Sequence, residues 1–271
     1  MDDMRMPKGR YIVPALSQGL AALSLFSRER IRLTAPDIAN ALTLPRTTVF
    51  RMLHTLEAMG FVRREDDERH FRLGPAMLGS GFAYLASLDF VEVAQPILQR
   101  LRDAMGMSVH MAIRDNQDIV YISRFAAHTT VRSSVTIGTR LPSHATVMGR
   151  MLLLDMNHEE LCALYPVEPL QKFSPKTPVS IAELQIMLAG DRERGYAATQ
   201  SFFERGVSSV AAPVRDATGT IVAAINVTSV DAHVDPVLME GKFKDAVLQA
   251  STEITRWISN DPVSRSRVQD V

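Results

Sequence analysis

The stretch LTAPDIANALTLPRTTVFRMLHTLEAMGFV, Leu33–Val62, is where the chain declares its architecture. Thr34-Ala35-Pro36-Asp37 has the capping-box pattern: a threonine hydroxyl and an acidic side chain three residues on each take one orphan amide at a helix start. Proline in the first turn costs no helical hydrogen bond. The spacing predicts a short helix with Ile38, Ala39 and Leu42 inward. Thr43-Leu44 allows only a tight connection, and Pro45 opens a third helix. Its apolar residues Val49, Met52, Leu53, Leu56 and Met59 fall at i, i+3, i+4, i+7 and i+10, and Gly60 supplies the stop. Upstream, Pro14 followed by Leu16, Leu20, Leu23 and Phe26 at helical spacing predicts a first helix. Downstream, Phe61–Arg64 and His70–Leu73 are short extended runs around the acidic tip Glu65-Asp66-Asp67-Glu68. Helix, short helix, tight turn, longer helix, hairpin is the element order of a winged helix-turn-helix.

With the apolar stripe of the third helix inward, Arg46, Thr47, Phe50, Arg51 and His54 face outward. Such a set suits a major groove, where arginine pairs bidentately with guanine, threonine donates or accepts, and an aromatic edge meets a thymine methyl. Thr34 and Thr48, near the starts of the second and third helices, complete the candidate DNA-contacting set. Arg63, Arg64 and Arg69 on the hairpin are placed to meet phosphate or a minor groove, and Lys8 with Arg10 to form a basic arm. The alternative is a helical mini-domain whose charged face is simply solvated.

Composition agrees with a globular chain. Hydrophobic residues make up 46% and charged residues 22%, which excludes disorder and collagen-like repetition. Lys plus Arg and Asp plus Glu are 30 each, so there is no bulk affinity for polyanions, but residues 1–80 carry a net +3 and the remainder −3. The single cysteine, Cys162, excludes an internal disulfide framework and any CxxC zinc site, and is read as a core residue of a short helix. No apolar run approaches the ~20 residues a membrane span needs, and the N-terminal MDDMRMPKGR has no signal-peptide pattern, so a cytoplasmic protein with no membrane partner is expected. There is no GxGxxG, P-loop, GxSxG or HExxH pattern, and the seven histidines are scattered. The expectation is a protein without catalytic residues, metal or cofactor.

The reading divides the chain into a winged helix-turn-helix domain (residues 1–74), a linker helix (75–89), an α+β effector domain (90–260) and a tail (261–271). The linker, GPAMLGSGFAYLASL, places Met77, Leu78, Phe82 and Leu85 near helical spacing and packs either against a second subunit or as a buried helix. In the effector half, Val91–Met105 reads as an amphipathic helix, and Ser108–Ile113 and Ile119–Phe125 as a strand hairpin across Arg114–Asp118. Val131–Ile137 reads as a third strand. Helices follow at Ala145–Asp155, near Glu159–Leu164 and at Ile181–Arg194. Strands are expected at Tyr196–Phe202, Ser208–Val214 and Thr220–Ser229, and a final helix at Pro236–Ile258. Strands at both ends with helices between imply an antiparallel sheet covered by helices.

One region reads as a binding site. Ser143 is placed to cap the helix that begins near His144, leaving backbone amides of Ala145–Met148 for a carboxylate. Asn226 and Thr228, two apart, share a strand face, and Ser209 and Thr199 are polar residues in otherwise apolar strands. Together they would line a small polar pocket; alternatively they bond locally or face water.

Taken in order, these pieces resemble the isocitrate lyase regulator (IclR) family of bacterial transcription factors along nearly the whole chain. The resemblance rests on VPALSQGLAALSLF, the helix-turn-helix stretch above, FRLGPAMLGSG, SVHMAIRDNQDIVYISR, GTRLPSHATVMGRMLL and ERGYAATQSFFERGVSSVAAPVRDATGTIVAAINVT. It implies dimers or tetramers, a double-stranded DNA operator, and a winged helix-turn-helix joined by a helix to a GAF-like effector domain that binds a small organic acid. The family builds its effector pocket around the residues after the HA motif, an acidic position after the GY pair, a cysteine before the AAP motif, and serines on a late strand. In this chain those positions hold Val147 and Met148, Thr199, Ser209, and Asn226 with Thr228; Met111 and Leu141 are counted with them. Thr199 is not acidic, Ser209 is not cysteine, and Asn226 and Thr228 are not serines, which argues against the keto acid of the founding member. Ala145-Thr146-Val147-Met148-Gly149-Arg150 is similar to the branch controlling aromatic-acid catabolism, which implies an aromatic carboxylate. The alternatives are a small aliphatic keto acid, an enzymatic second domain, or a constitutive DNA-binding protein whose second domain only oligomerises.

Overall fold

The computed structural model describes residues 10–127, 135–200, 202–203, 206–230 and 235–260. The chain divides into two compact units, Met1–Ser87 and Leu88–Val271.

In the first unit, α1 (Pro14–Ser24) starts with proline in its first turn. Strand β1 (Leu33–Thr34) leads into α2 (Ala35–Leu42), where Thr34 and Asp37 form the expected capping box. Thr43 adopts a left-handed conformation in the tight turn before α3 (Arg46–Ala58), for which Pro45 is the cap. Gly60, at φ 77°, turns the chain into β2 (Val62–Arg64) and β3 (His70–Leu73). The wing has three strands in the order β1-β3-β2, all antiparallel. Its first strand is two residues long, below what sequence periodicity registers.

Ala22, Leu23, Ile38, Val49, Leu53, Val62 and Phe71 form the core of this unit. Burying each large side chain stabilises the fold by ~1.5–3 kcal/mol relative to exposure. Three members of the expected apolar stripes lie outside it: Leu16 and Leu20 on α1 and Met59 at the end of α3 are 62%, 57% and 61% exposed. They border an open apolar groove between α1 and α3. Helix α4 (Ala76–Ala86) buries no residue, which overturns the reading of this segment as a buried helix. Leu78, Phe82 and Tyr84 stand at least half exposed along it.

The second unit is a six-stranded antiparallel sheet in the order β6-β5-β4-β9-β8-β7. Its members are β4 (Ser108–Asp115), β5 (Asp118–Phe125), β6 (Arg140–Pro142), β7 (Ala197–Gln200), β8 (Ser208–Arg215) and β9 (Ile221–Ser229). The hairpins at 116–117 and 216–219 fall where expected, the second tied by Asp216 Oδ1 to the amides of Thr218 and Thr220. One face packs against α5 (Asp89–Met105) and α10 (Lys244–Asn260), the other against α6 (Val147–Leu152). Beyond α6, α7 (His158–Leu164) and α8 (Ile181–Arg194) enclose a further cluster of Leu153, Leu161, Tyr165, Leu184 and Leu188.

Four expected elements differ. Of the strand expected at Val131–Ile137, residues 131–134 lie outside the described residues and 135–137 form no strand; the edge is β6 instead. The helix expected at Ala145–Asp155 is a 3-10 turn, Ser143–Ala145, followed by the six-residue α6. The strand expected at Tyr196–Phe202 is shortened to Ala197–Gln200. The final helix is broken into a short α9 (Pro236–Leu238), a π-helical segment (Met239–Phe243) and α10. Pattern matching to a 3.6-residue period cannot distinguish a π segment from the helix around it.

Candidate functional site

Helix α3 presents Arg46, Thr47, Phe50, Arg51 and His54 to solvent, with Phe50 59% exposed. Thr48 departs from the outward set: it is half-buried and borders the α1–α3 groove with Leu16 and Leu20. Thr34 is half-buried and its hydroxyl is engaged with Asp37, whose carboxyl it holds below the usual range by hydrogen bonding.

The hairpin arginines divide. Arg63 and Arg69 are exposed. Arg64 is turned inward, with Nε and Nη2 on the Glu57 carboxylate at 3.3 and 3.1 Å and its guanidinium 4.8 Å above the Phe71 ring. Hydrogen bonding to Arg64 lowers the Glu57 pKa. Arg64 therefore ties α3 to the wing and is not a free phosphate contact. The hairpin tip is closed by Asp67, which accepts from the amides of His70 and Arg69 and meets the His70 ring, so its carboxyl lies well below the ordinary range. Of the expected basic arm, Arg10 is exposed and Lys8 lies outside the described residues.

In the second unit the register across strands assembles polar residues that are far apart in sequence. Thr199 pairs with Ser209, Ser209 with Thr228, and Thr228 with Ser108. In the neighbouring row Asn226 pairs with His110, and His110 with Arg124. Between Met111 and Ala112 the register with β5 slips by one, leaving Ile122 as the extra residue. Such a bulge reverses the side-chain alternation, so Arg124 joins the face that carries Tyr121. The same face continues into the apolar cluster of Ala112, Tyr121, Val147, Met148, Ala197, Ala211 and Ala224, with Leu141 packed against it.

The structure thus brings together Leu141, Val147, Met148, Thr199, Ser209, Asn226 and Thr228 on the α6 face. Met111 does not belong with them. It pairs with Ile225, one residue from Asn226, and so points to the face covered by α5 and α10. Ser143 is not the cap of α6 either. Thr146 caps it, its Oγ1 accepting from Gly149 N at 3.0 Å. The Ser143 backbone lies against Gly149, where a Cβ would come within 2.0 Å of the Ser143 carbonyl oxygen, so only glycine fits. A helix of six residues closed on one side by backbone is a poor anion seat.

Asn226 is the hub of the polar rows. Its Nδ2 donates to Ser209 Oγ and to Thr228 Oγ1, both at 2.9 Å, and its Oδ1 lies 3.0 Å from His110 Nδ1. Ser209 Oγ also donates to the Val227 carbonyl at 3.1 Å. His110 is 2% exposed and sits edge-on to Tyr121. Burial lowers its pKa to about 4, opposed by the bond to Asn226 and helped by the charge of Arg124. Burial also raises Tyr121. His110 and Arg124 are not legible as site residues: for His110 the usable signal is its parity with Ser108 and Ala112 on β4, whereas Arg124 on β5 reaches this face only through a bulge that no pattern reveals.

Along the β7 edge Thr199 borders a cleft of about 540 Å³ with Arg150, Lys176, Gln200, Phe202 and Glu240. Arg150 is 3% exposed, pairs with the fully buried Asp191 at 3.0 Å and lies over the Phe202 ring. Among the described residues no group of His, Cys, Asp or Glu side chains is arranged to hold a metal ion, and no single helix is long and apolar enough to cross a membrane. Cys162 is half-buried on α7 beside His158.

A wing-bearing helix-turn-helix in one unit and a sheet face carrying a polar network in the other define a DNA-binding regulator with a separate effector domain. Residues 15–66 match the IclR helix-turn-helix domain and residues 82–256 the C-terminal domain of IclR bacterial transcriptional regulators. The chain belongs to the IclR family: it is a DNA-binding transcriptional regulator with a GAF-like effector-binding domain. It is 33% identical over 214 residues to the HTH-type transcriptional repressor AllR of Salmonella typhi, covering 79% of each chain. It is 32% identical over 241 residues to the Pca regulon regulatory protein of Pseudomonas putida, covering 89% of this chain and 82% of that protein. A solved transcriptional-regulator structure from Rhodococcus sp. RHA1 superposes with a TM-score of 0.80 at 33% identity, covering 92% of this chain and 99% of that one. An IclR homologue from Microbacterium hydrocarbonoxydans, solved in complex with 4-hydroxybenzoate, shares the fold with a TM-score of 0.80 at 23% identity, over 91% of this chain and 100% of that one.

Proposed function

We propose that the chain is a ligand-controlled regulator whose effector is an aromatic carboxylate of a catabolic pathway. The observation that carries this reading is the α6 face of the second unit. There apolar Val147, Met148, Tyr121 and Leu141 adjoin the polar rows of Thr199, Ser209, Asn226 and Thr228, a combination suited to a ring with a polar substituent. Kinship with the Pca regulon regulatory protein and the 4-hydroxybenzoate complex of a structural neighbour support the choice of ligand class. The test is melting of the purified protein against benzoates and short aliphatic keto acids. A ligand at 100 times its Kd stabilises by ~2.7 kcal/mol, a rise of about 5–10 °C for a domain of this size. Stabilisation by benzoates alone is expected; stabilisation by keto acids alone would reverse the assignment.

Operator reading is assigned to Arg46, Thr47, Phe50, Arg51 and His54 on α3, with Arg63 and Arg69 on phosphate. The protein is expected to act as a dimer or tetramer on a repeated site, an arrangement to which the exposed apolar residues of α1 and α4 are suited. Arg51→Ala should lower operator affinity by ~1–3 kcal/mol per half-site and relax preference at one base pair. Equal loss on random DNA in a gel-shift titration would make Arg51 a phosphate contact instead.

A further inference from the structure

Among the described residues His110 Nε2, in the polar rows, is a buried polar atom with no hydrogen-bond partner. Which proton it lacks follows from the network around it. Ser209 Oγ donates its single hydroxyl proton to the Val227 carbonyl at 3.1 Å, so in its 3.1 Å contact with Thr228 Oγ1 the threonine hydroxyl donates. The Asn226 atom 2.9 Å from Ser209 Oγ must then donate, which fixes it as Nδ2. The second Nδ2 proton goes to Thr228 Oγ1, also at 2.9 Å. Asn226 therefore turns its Oδ1, an acceptor, toward His110 Nδ1 at 3.0 Å, and Nδ1 must carry the imidazole proton. Burial keeps the ring neutral. Nε2 is left as a bare lone pair on a side chain 2% exposed, and only a donor can satisfy it. A carboxylate or a keto oxygen cannot.

The same accounting alters the roles of the neighbours. Ser209, Asn226 and Thr228 spend their hydrogen bonds on one another, on the Val227 carbonyl and on His110, so they orient the imidazole rather than each reaching for a ligand. Arg124, opposite His110 on the same face, brings a positive charge that disfavours an imidazolium and favours an anion nearby. Resting on the effector reading above, we propose that His110 Nε2 accepts a hydrogen bond from a hydroxyl group of the effector, so that the site selects hydroxylated aromatic acids over their unsubstituted and O-methylated analogues.

The test is calorimetry of the full-length protein with 2-, 3- and 4-hydroxybenzoate, the three matching methoxybenzoates and benzoate. It is paired with NMR of protein labelled with ¹⁵N-histidine. At least one hydroxybenzoate should bind about tenfold or more tightly than its methyl ether, the loss expected when a buried acceptor is left unpaired. His110→Phe should bring that ratio close to one. In the ligand-free spectrum His110 should show a protonated Nδ1 and a bare Nε2, and the Nε2 resonance should move on adding the preferred hydroxybenzoate but not its ether. Equal affinity for hydroxy and methoxy pairs, or a proton on Nε2 in the ligand-free protein, overturns the inference and leaves the effector reading intact. A panel in which no benzoate binds overturns the effector reading and this inference with it. Should His110→Phe melt far below wild type, the wild-type ratio and the spectrum decide without it.

Discussion

His110 is buried as a neutral ring, and this has a consequence for folding that needs no ligand. Its pKa is about 4 in the folded chain against an unfolded value of 6.5. Above pH 6.5 neither state carries the proton, and its contribution is constant. As pH falls from 6.5 toward 4 the unfolded state binds a proton that the folded state refuses, so stability declines, by ~3 kcal/mol at the lower end. Denaturant melts of wild type and His110→Gln, compared between pH 7 and 4, should show a gap that widens in that window on the wild-type side; parallel curves would mean the ring titrates freely. The polar strand residues Thr199, Ser209, Asn226 and Thr228 were visible in the sequence because each interrupts an apolar run. His110 was not: SVHMAI reads as an ordinary strand, and the partner that fixes its tautomer is 116 positions away. Strand alternation gives the face of a residue but not the register of its neighbours.

Elements announced by local chemistry were legible, and those set by distant packing were not. The capping box at Thr34 and Asp37, the prolines at the starts of α1 and α3 and the turns at Gly60 and Gly195 all act within four residues, and each is where the sequence places it. The start of α6 is not legible, because the sequence places two capping side chains, Ser143 and Thr146, three residues apart, and the choice is made by the close approach of the Ser143 backbone to Gly149. What anchors α6 to α8 was also hidden, since Arg150 looked only like a charge interrupting an apolar run. In the folded chain Arg150 and Asp191 lie 3.0 Å apart, 3% and 0% exposed, with Arg194 on the other carboxylate oxygen. Burial pushes the Asp191 pKa up and the Arg150 pKa down, so desolvation opposes the pairing. Removing one partner is therefore expected to cost far more than the pair contributes. Asp191→Ala should destabilise by ~3–5 kcal/mol because it strands the Arg150 charge, whereas Asp191→Leu with Arg150→Met should recover most of the loss. Thermal melts of both variants check this, and a double variant as unstable as the single one would show that packing, not charge, sets the cost.

At the scale of the whole molecule, a net charge of zero conceals a division of labour, with a net +3 over residues 1–80 and −3 over the rest. Operator binding releases counterions from each phosphate that a cation neutralises, so affinity should fall steeply with salt, ~10³–10⁵-fold between 50 and 200 mM if about 6–10 phosphates are met. The wing allows this to be dissected, because its two adjacent arginines differ in what they touch. Arg63 is exposed, while Arg64 is spent on Glu57 and stacked on Phe71. Arg63→Ala should weaken binding similarly on all sequences and reduce the log–log salt slope by about one per half-site, leaving the melting temperature nearly unchanged. Arg64→Ala should do the reverse. It removes the link between α3 and the wing and the cover over Phe71, lowering stability, and it should leave the salt slope near the wild-type value wherever the variant is folded. Fluorescence anisotropy across a salt series, run with melts of the same preparations, measures both quantities. If Arg64→Ala also lost a unit of slope, the Glu57 pairing would have to open on DNA, and the inward arginine would be a phosphate contact held in reserve.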